Sequence, residues 1–155
     1  MNGVVIAILG AALATVFAGI GSVLGVQACG KAAAGVTSEQ PELFGKLLVL
    51  QILPGTQGLY GFLISILVFV KLGVFSGVDM STVDTATGLA YFAACLPIAI
   101  NGLISAIFQG KVATAGIMMT AKQPDASGKG ITMAVLVETY AILALIVSVL
   151  LVLNI

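Results

Sequence analysis

Four apolar stretches, each longer than the roughly 20 residues that cross a bilayer as an α-helix, dominate this sequence. They cover about residues 3–34, 46–72, 88–120 and 130–154, and only short polar connections separate them. The chain as a whole is 60% hydrophobic and 8% charged, with a mean hydropathy of +1.22, which is far from the composition of a soluble domain. We therefore predict an all-α membrane protein with four transmembrane helices.

The charged residues exclude several classes of function. The formal net charge is zero, and the chain contains no arginine and no histidine. A nucleic-acid partner is not expected, because such proteins present a basic face. A histidine proton relay and a histidine zinc site are excluded as well. The chain also lacks the GxxxxGK[ST] loop that holds nucleotide phosphates, so it cannot hydrolyse ATP by that route.

The lysines are distributed unevenly between the connections. Five of the six lie in or beside the first and third connections: Lys31, Lys46, Lys111, Lys122 and Lys129. The second connection has Asp79 and Asp84, with only Lys71 at its edge. Short cytoplasmic loops are enriched in positive residues. We therefore predict that the first and third loops are cytoplasmic and that both termini lie outside.

The two halves of the chain resemble each other when Gln40 is aligned with Gln123, so that position i pairs with position i+83. In this repeat register the matches include loop residues and hydroxyls within the spans: Gln40-Pro41 with Gln123-Pro124, Gly45-Lys46 with Gly128-Lys129, Thr56 with Thr139, and Ser65 with Ser148. In the first helix of each half the match between Gly30-Lys31 and Gly110-Lys111 suggests a slip of three positions. Residues 1–78 and 79–155 are therefore predicted to be tandem helical hairpins with the same orientation within a single membrane domain.

The first span contains a row of small residues. Gly21, Gly25, Cys29 and Ala33 recur every fourth position. Such rows let helix backbones approach closely in a membrane. The row fits both ordinary packing between the helices of one chain and an inner ring of helices formed by several chains.

Glu138 is the one acidic residue inside an apolar span. A charge near the middle of a bilayer costs from about 3 to above 10 kcal/mol, and residues of this kind usually mark functional sites. In the repeat register its counterpart is Gly55, so only the second hairpin retains a carboxylate. A duplicated chain with one site is the simplest interpretation.

Two further polar residues lie at the same predicted depth as Glu138. Glu138 follows Lys129 by nine positions, Gln57 follows Lys46 by eleven, and Gln109 precedes Lys122 by thirteen. At about 1.5 Å per helical residue, these positions lie about 14 to 20 Å from the loops. Three helices thus contribute polar side chains at one level of the membrane.

The second span adds oxygen atoms at this level. Leu53, Thr56, Gln57 and Tyr60 have the i, i+3, i+4, i+7 spacing of one helix face. Pro54 interrupts the helix there, because proline cannot donate a backbone hydrogen bond. In a regular helix the freed carbonyl would be that of Leu50, so a role for the Leu53 carbonyl requires a local distortion.

These groups form an all-oxygen set with a single negative charge. Such a set suits a hard monovalent cation such as Na⁺, whereas Ca²⁺ takes more carboxylates and zinc takes histidine or cysteine. A proton needs only the carboxylate, so the additional oxygens favour a metal ion. The alternative is that the threonine, glutamine and tyrosine only hold neighbouring helices together.

Three segments carry a resemblance to a known family. LPGTQGLYGF on the second span, FQGK on the third and VETYAIL on the fourth resemble the proteolipid K (c-type) subunit of V-type rotary ATPases, especially the bacterial sodium-pumping form. The resemblance covers essentially the whole chain. It implies a homo-oligomeric ring of identical subunits in the cell membrane, turned by ATP hydrolysis in a separate soluble sector. It further implies central-stalk partners and a membrane stator that supplies an arginine.

The resemblance also implies a role for each site residue. The implied Na⁺ ligands are Glu138, the side chains of Thr56, Gln57 and Gln109, and the backbone carbonyl of Leu53. Tyr60 is implied to orient the Glu138 carboxylate by a hydrogen bond. The resemblance implies no catalytic residue. H⁺ is the alternative cargo, because proton-carrying relatives keep the glutamate and need not keep the other oxygens.

Two other classes of protein share some of these features. Small exporters also have four helices and one membrane glutamate, but they usually line their sites with aromatic residues for organic cations. Here aromatic residues are 6% of the chain, and tryptophan is absent. A purely structural proteolipid would need the small-residue rows but not the polar set. The rotor subunit is therefore the favoured interpretation.

Overall fold

The structure, a computed structural model, describes residues 2–76 and 83–155. Every regular element in these two segments is helical. The α-helices are α1 (Gly3–Glu39), α2 (Phe44–Ile52), α3 (Thr56–Lys71), α4 (Thr85–Lys122) and α5 (Ser127–Asn154). Three-residue 3₁₀ turns lie between some of them: Pro41–Leu43, Leu53–Gly55 and Pro124–Ala126.

Four of the helical segments are long and apolar enough to cross a membrane. They are Gly3–Glu39, Pro41–Lys71, Thr85–Lys122 and Pro124–Asn154. The second comprises α2 and α3 with the Leu53–Gly55 turn between them, where the proline was predicted to interrupt the span. The prediction of an all-α protein with four transmembrane helices is confirmed.

The helices extend further into the predicted connections than the sequence suggested. The first connection was predicted to begin at Gly35, but α1 continues to Glu39, and Gln40 is its C-cap residue. Pro41 then opens a 3₁₀ turn, because a proline suits the first position of a helical turn but cannot continue the preceding helix. The third connection shortens in the same way, with α4 reaching Lys122 and Pro124 opening the next turn.

Helices α1 and α4 run parallel, and their backbones touch. A Cβ atom added to Gly21 would lie 2.5 Å from the carbonyl oxygen of Leu103, and one added to Gly25 would lie 2.6 Å from that of Ala106. The other members of the small-residue row, Cys29 and Ala33, are also buried within the single chain. This row therefore packs the protomer itself, where its small side chains allow close approach.

Equivalent contacts recur in the two hairpins in the repeat register. The Thr15 Oγ1 and Ser65 Oγ atoms are 2.6 Å apart in the first hairpin. In the second, the Ile98 backbone N–H donates to Ser148 Oγ at 3.3 Å. Because α1 and α4 are unbroken from these contacts to their ends, they hold the register throughout. The predicted slip of three positions is therefore wrong, and the Gly-Lys match is a chance identity.

Hydrogen bonds identify the connections that share an end of the bundle. Lys46 Nζ donates to the Pro124 carbonyl oxygen at 2.9 Å, joining the first and third connections. At the opposite end, Lys71 Nζ donates to the Leu153 carbonyl oxygen at 3.2 Å. The hairpins are thus parallel, as the repeat predicted. The predicted boundary at residues 78 and 79, and Asp79 itself, lie outside the described residues.

Asp84 begins α4 by capping its first turn. Its side chain accepts a hydrogen bond from the Thr87 backbone N–H at 2.6 Å. This hydrogen bond lowers the pKa of the Asp84 carboxyl below its usual value, because it favours the charged form. A carboxylate at a helix N-terminus also matches the helix dipole.

Candidate functional site

Glu138 occupies the centre of a polar cluster between three helices. It lies on α5, and only 7% of the residue is exposed. From α3, the Thr56 hydroxyl and the Tyr60 hydroxyl each donate to Glu138 Oε1 at 2.6 Å. From α4, Gln109 Nε2 donates to Glu138 Oε2 at 3.2 Å. All of these donors are neutral, so they orient the carboxylate without cancelling its charge.

The Thr56 hydroxyl lies among three other oxygen atoms. Its Oγ1 atom is 2.6 Å from Glu138 Oε1, 3.0 Å from the Leu53 carbonyl oxygen and 3.3 Å from Gln57 Oε1. A hydroxyl has only one proton to donate. The single proton of the Thr56 hydroxyl therefore cannot serve all three neighbouring oxygens at once. A cation in this region would be attracted to every member of the group.

The Leu53 carbonyl lies at a local break in the second span. Leu53–Gly55 forms a 3₁₀ turn, in which the Thr56 backbone N–H bonds to the Leu53 carbonyl. This shift from α-helical to 3₁₀ geometry is a local distortion of the kind that the predicted role of the Leu53 carbonyl requires. It follows from Pro54, which lacks the N–H of a regular helix.

Ser22 on α1 supports the start of α3 after this break. The Gly58 backbone N–H donates to Ser22 Oγ at 2.7 Å, and the Ser22 hydroxyl lies 3.4 Å from the Gly55 carbonyl oxygen. The sequence analysis did not identify this role. The sequence feature that could have indicated it is a hydroxyl residue among the small residues of α1, since α1 was expected to pack against the span that Pro54 interrupts.

The two glutamines form a fully buried pair beside the carboxylate. Gln57 Nε2 donates to Gln109 Oε1, and both residues have 0% exposure. This bond directs the Nε2 atom of Gln109 towards Glu138. In a hydrocarbon surrounding, unpaired amides would be costly, so the pairing also stabilises the interior. The sequence predicted the depth of both glutamines but not their direct contact.

The structure brings together all six residues singled out in the sequence. They are Leu53, Thr56, Gln57, Tyr60, Gln109 and Glu138. The Gly55 counterpart of Glu138 lies in the 3₁₀ turn and carries no side chain. The described part of the first hairpin thus contributes neutral oxygen atoms from the 3₁₀ turn and α3, and that of the second contributes the Gln109 amide from α4 and the carboxylate from α5.

A family comparison matches most of the chain. The sequence model for the C subunit of ATP synthase matches residues 9–68 and again residues 92–151. The starts of these two segments, residues 9 and 92, are counterparts in the repeat register, and so are their ends. The duplication of the helical hairpin is therefore a property of the whole fold.

Individual relatives span nearly the same length. V-type sodium ATPase subunit K of Enterococcus hirae is 56% identical over 153 residues, 99% of this chain and 94% of the relative. A-type ATP synthase subunit K of Methanocaldococcus jannaschii is 43% identical over 92% of this chain and 60% of its own length. The 16 kDa proteolipid of the V-type proton ATPase of Nephrops norvegicus is 27% identical over 92% of this chain and 86% of its own length.

Proposed function

Since this chain belongs to the family of the ATP synthase C subunit and is a rotor subunit of a V-type ATPase, we propose that it carries Na⁺ across the membrane at Glu138. It is a multi-pass membrane protein of a family whose members assemble into rings. As an ion-translocating subunit it is not catalytic alone. ATP hydrolysis is assigned to a separate soluble sector of the complex.

The observation that carries the proposal is the oxygen cluster around Thr56. Oxygens of Leu53, Gln57 and Glu138 lie between 2.6 and 3.3 Å from the Thr56 hydroxyl oxygen. Several neutral oxygens and one carboxylate are the ligand set of a hard monovalent cation. Gln109 is proposed as the remaining ligand, and its amide would rotate on ion binding, because Oε1 now accepts from Gln57 Nε2 and Nε2 faces Glu138. Tyr60 is assigned the orientation of the carboxylate rather than the binding of the ion.

The alternative cargo is a proton. The Enterococcus hirae relative is named as a sodium ATPase subunit, whereas the Nephrops norvegicus relative is named as a proton ATPase subunit. The higher identity to the former, 56% against 27%, supports Na⁺. A proton would require Glu138 alone and not the other oxygens of the cluster, which favours Na⁺.

Charge compensation provides a mechanism for transport. With Na⁺ bound, the charge of Glu138 is neutralised and the site can face lipid at a lower cost. We propose that a stator subunit supplies an arginine that pairs with Glu138 when the ion leaves, and that central-stalk subunits turn the ring. Moving one charge against the membrane potential costs about 2.3 kcal/mol per 100 mV, which ATP hydrolysis must supply.

The proposed orientation has the first and third connections in the cytoplasm and both termini outside. The excess of lysine in these connections supports it. The bond between Lys46 and the Pro124 carbonyl supports a common side for the two connections. We also propose residues 1–78 and 79–155 as the two hairpin repeats of the cell-membrane protein.

Labelling with dicyclohexylcarbodiimide tests whether the site binds Na⁺. This reagent modifies protonated carboxyls in apolar surroundings, and we expect it to modify Glu138. Because a bound Na⁺ displaces the proton, increasing Na⁺ at constant pH is expected to slow the labelling. The measurement is the rate of modification, by mass spectrometry of the purified ring. Choline chloride at the same ionic strength is the control. Labelling at a rate independent of Na⁺ would contradict sodium binding and favour the proton.

Thr56→Val tests the contribution of the neutral oxygens. Valine has nearly the same shape as threonine but lacks the hydroxyl, which is both a donor and an acceptor at the centre of the cluster. We expect the Na⁺ concentration that halves the labelling rate to rise about tenfold, the equivalent of about 1.4 kcal/mol. The matched control is Thr139→Val, because Thr139 is the repeat counterpart of Thr56 and its hydroxyl donates to the Leu136 carbonyl of its own helix. Equal Na⁺ protection in both variants would exclude a role for Thr56 in ion binding.

A further inference from the structure

We infer that Ser22 of α1 is a positioning residue that sets the ion affinity of the site by holding the broken turn of the second span in place. Ser22 is 8% exposed, and its hydroxyl makes two hydrogen bonds to the backbone of that span. It accepts from the Gly58 N–H at 2.7 Å and donates to the Gly55 carbonyl oxygen at 3.4 Å. The inference rests on the proposed function, because it concerns the affinity of that same site.

The two hydrogen bonds of Ser22 enclose ligands of the site. The residues between the two bonded backbone groups are Thr56 and Gln57, both of which are proposed ligands. The carbonyl of Leu53 lies two residues before the Gly55 carbonyl that Ser22 contacts. Within the residues that the structure describes, Ser22 makes no hydrogen bond to an oxygen of the cluster. Ser22 therefore acts on the site through the backbone and is not a ligand.

Pro54 weakens the helix but does not alone fix where the break falls. The hydrogen bond that a proline lacks would reach the residue four positions back, in the turn before the ligands. In a regular α-helix the Gly58 N–H would bond to the Pro54 carbonyl. In the structure it bonds to Ser22, so a hydroxyl takes the place of that carbonyl. A side chain inserted into the backbone ladder is an established cause of a break, and this one lies at the ligands themselves.

Close packing holds Ser22 against this turn. A Cβ atom added to Gly58 would lie 3.1 Å from Ser22 Oγ, so glycine leaves the room that the hydroxyl needs. One turn further along α3, a Cβ atom added to Gly61 would collide with the Ala14 carbonyl oxygen. Gly21, the residue before Ser22, touches the backbone of α4. Helix α1 therefore fixes Ser22 between the two helices that carry the neutral ligands.

The second hairpin shows the effect of the same serine beside an unbroken helix. The repeat counterpart of Ser22 is Ser105, which is 4% exposed. Its hydroxyl has no hydrogen-bond partner in the described part of the chain. Helix α5 runs without interruption through the counterparts of the proline and the glycine, which are Val137 and Ala141. A serine at this position thus acts on a helix only where a proline has weakened it and a glycine admits the hydroxyl.

The hydrogen bonds of Ser22 preorganise the site for the ion. Without the hydroxyl, the Gly58 N–H returns to the Pro54 carbonyl in part of the population, and the turn shifts towards a regular α-helix. Only the molecules that keep the 3₁₀ turn then bind the ion fully, so the apparent affinity falls in proportion to their fraction. An equilibrium that loses the net contribution of one neutral hydrogen bond changes by about fivefold.

Ser22→Ala tests the inference, because it removes the hydroxyl and leaves the small size of the residue. We expect the Na⁺ concentration that halves the labelling of Glu138 by dicyclohexylcarbodiimide to rise about fivefold. The matched control is Ser105→Ala, which makes the same change at the repeat counterpart and should keep the wild-type value. If Na⁺ protected Ser22→Ala and the wild type equally, the inference would be wrong.

The Ser22→Ala, Thr56→Val double variant separates positioning from a general loss of stability. Both changes act on one turn, so their effects should not be independent. We expect the half-protecting Na⁺ concentration to rise by less than the product of the two single increases. A rise equal to that product would mean that Ser22 acts elsewhere in the protomer, and it would overturn the positioning role.

Solid-state NMR of isotope-labelled rings in Na⁺-free lipid tests the turn without any ion. We expect Ser22→Ala to shift the resonance of the Leu53 carbonyl carbon and Ser105→Ala to leave it in place. An unshifted Leu53 resonance in Ser22→Ala would overturn the inference. This measurement also separates the inference from the proposed function. A wild type that Na⁺ fails to protect from labelling would contradict sodium binding, whereas the Leu53 resonance reports only whether Ser22 holds the turn.

Discussion

Replacing Glu138 with glutamine is expected to abolish ATP-driven ion transport while leaving the ring assembled. Glutamine keeps the size of the side chain and an oxygen for the Thr56 and Tyr60 hydroxyls. It removes the negative charge, which the neutral oxygens of the cluster cannot replace in neutralising a cation or in pairing with an arginine. Without that change of charge, rotation has nothing to move across the membrane.

The measurement is ²²Na⁺ uptake into vesicles containing the whole ATPase. The mass of the purified ring shows whether it is still assembled. Glu39→Gln is the matched control, because it makes the same chemical change on an exposed residue at the end of α1. We expect uptake at background level for Glu138→Gln and near the wild-type level for Glu39→Gln. Uptake that persists in Glu138→Gln would mean that the carboxylate is only tolerated in the membrane.

Gly25→Leu is expected to produce a large loss of protomer stability. A Cβ atom at this position would lie 2.6 Å from the Ala106 carbonyl oxygen and 2.6 Å from Pro54 Cβ. Neither neighbour is the flexible end of a side chain, so α1 and α4 must separate. Overpacking of this kind costs about 3 kcal/mol. The displaced Pro54 would also disturb the 3₁₀ turn that holds the Leu53 carbonyl.

Reversible unfolding in mixed micelles with increasing sodium dodecyl sulfate measures this loss. Gly35→Leu is the control, because it adds the same side chain to the same helix, with nothing within 4 Å of the new Cβ atom. Both substitutions replace glycine with leucine in the same helix, so the difference between them reports the contacts of Gly25 with α4 and Pro54. If both variants unfolded at the same fraction of sodium dodecyl sulfate, the close approach of α1 to α4 would contribute little to stability.

The components of the site could be predicted because a membrane restricts where polar residues are tolerated. Glu138, Gln57 and Gln109 are exceptions in apolar spans, and counting residues from the loops placed them at one depth. The break in the second span could also be predicted, because Pro54 lacks the N–H that continues a regular helix. The spans were also clear, although α1 extends to Glu39 because a helix end depends on capping as well as on hydropathy.

The sequence by itself therefore determined the four spans, the tandem hairpins and the depth of the single carboxylate, since these depend on composition and spacing along the chain. Only the tertiary structure decided which oxygens meet. The 3₁₀ turn at Leu53, the support from Ser22 and the pairing of Gln57 with Gln109 depend on helix rotation and on distances between helices. It also decided that the repeat register holds without a slip, because contacts such as Thr15 with Ser65 and Ile98 with Ser148 exist only after the helices pack.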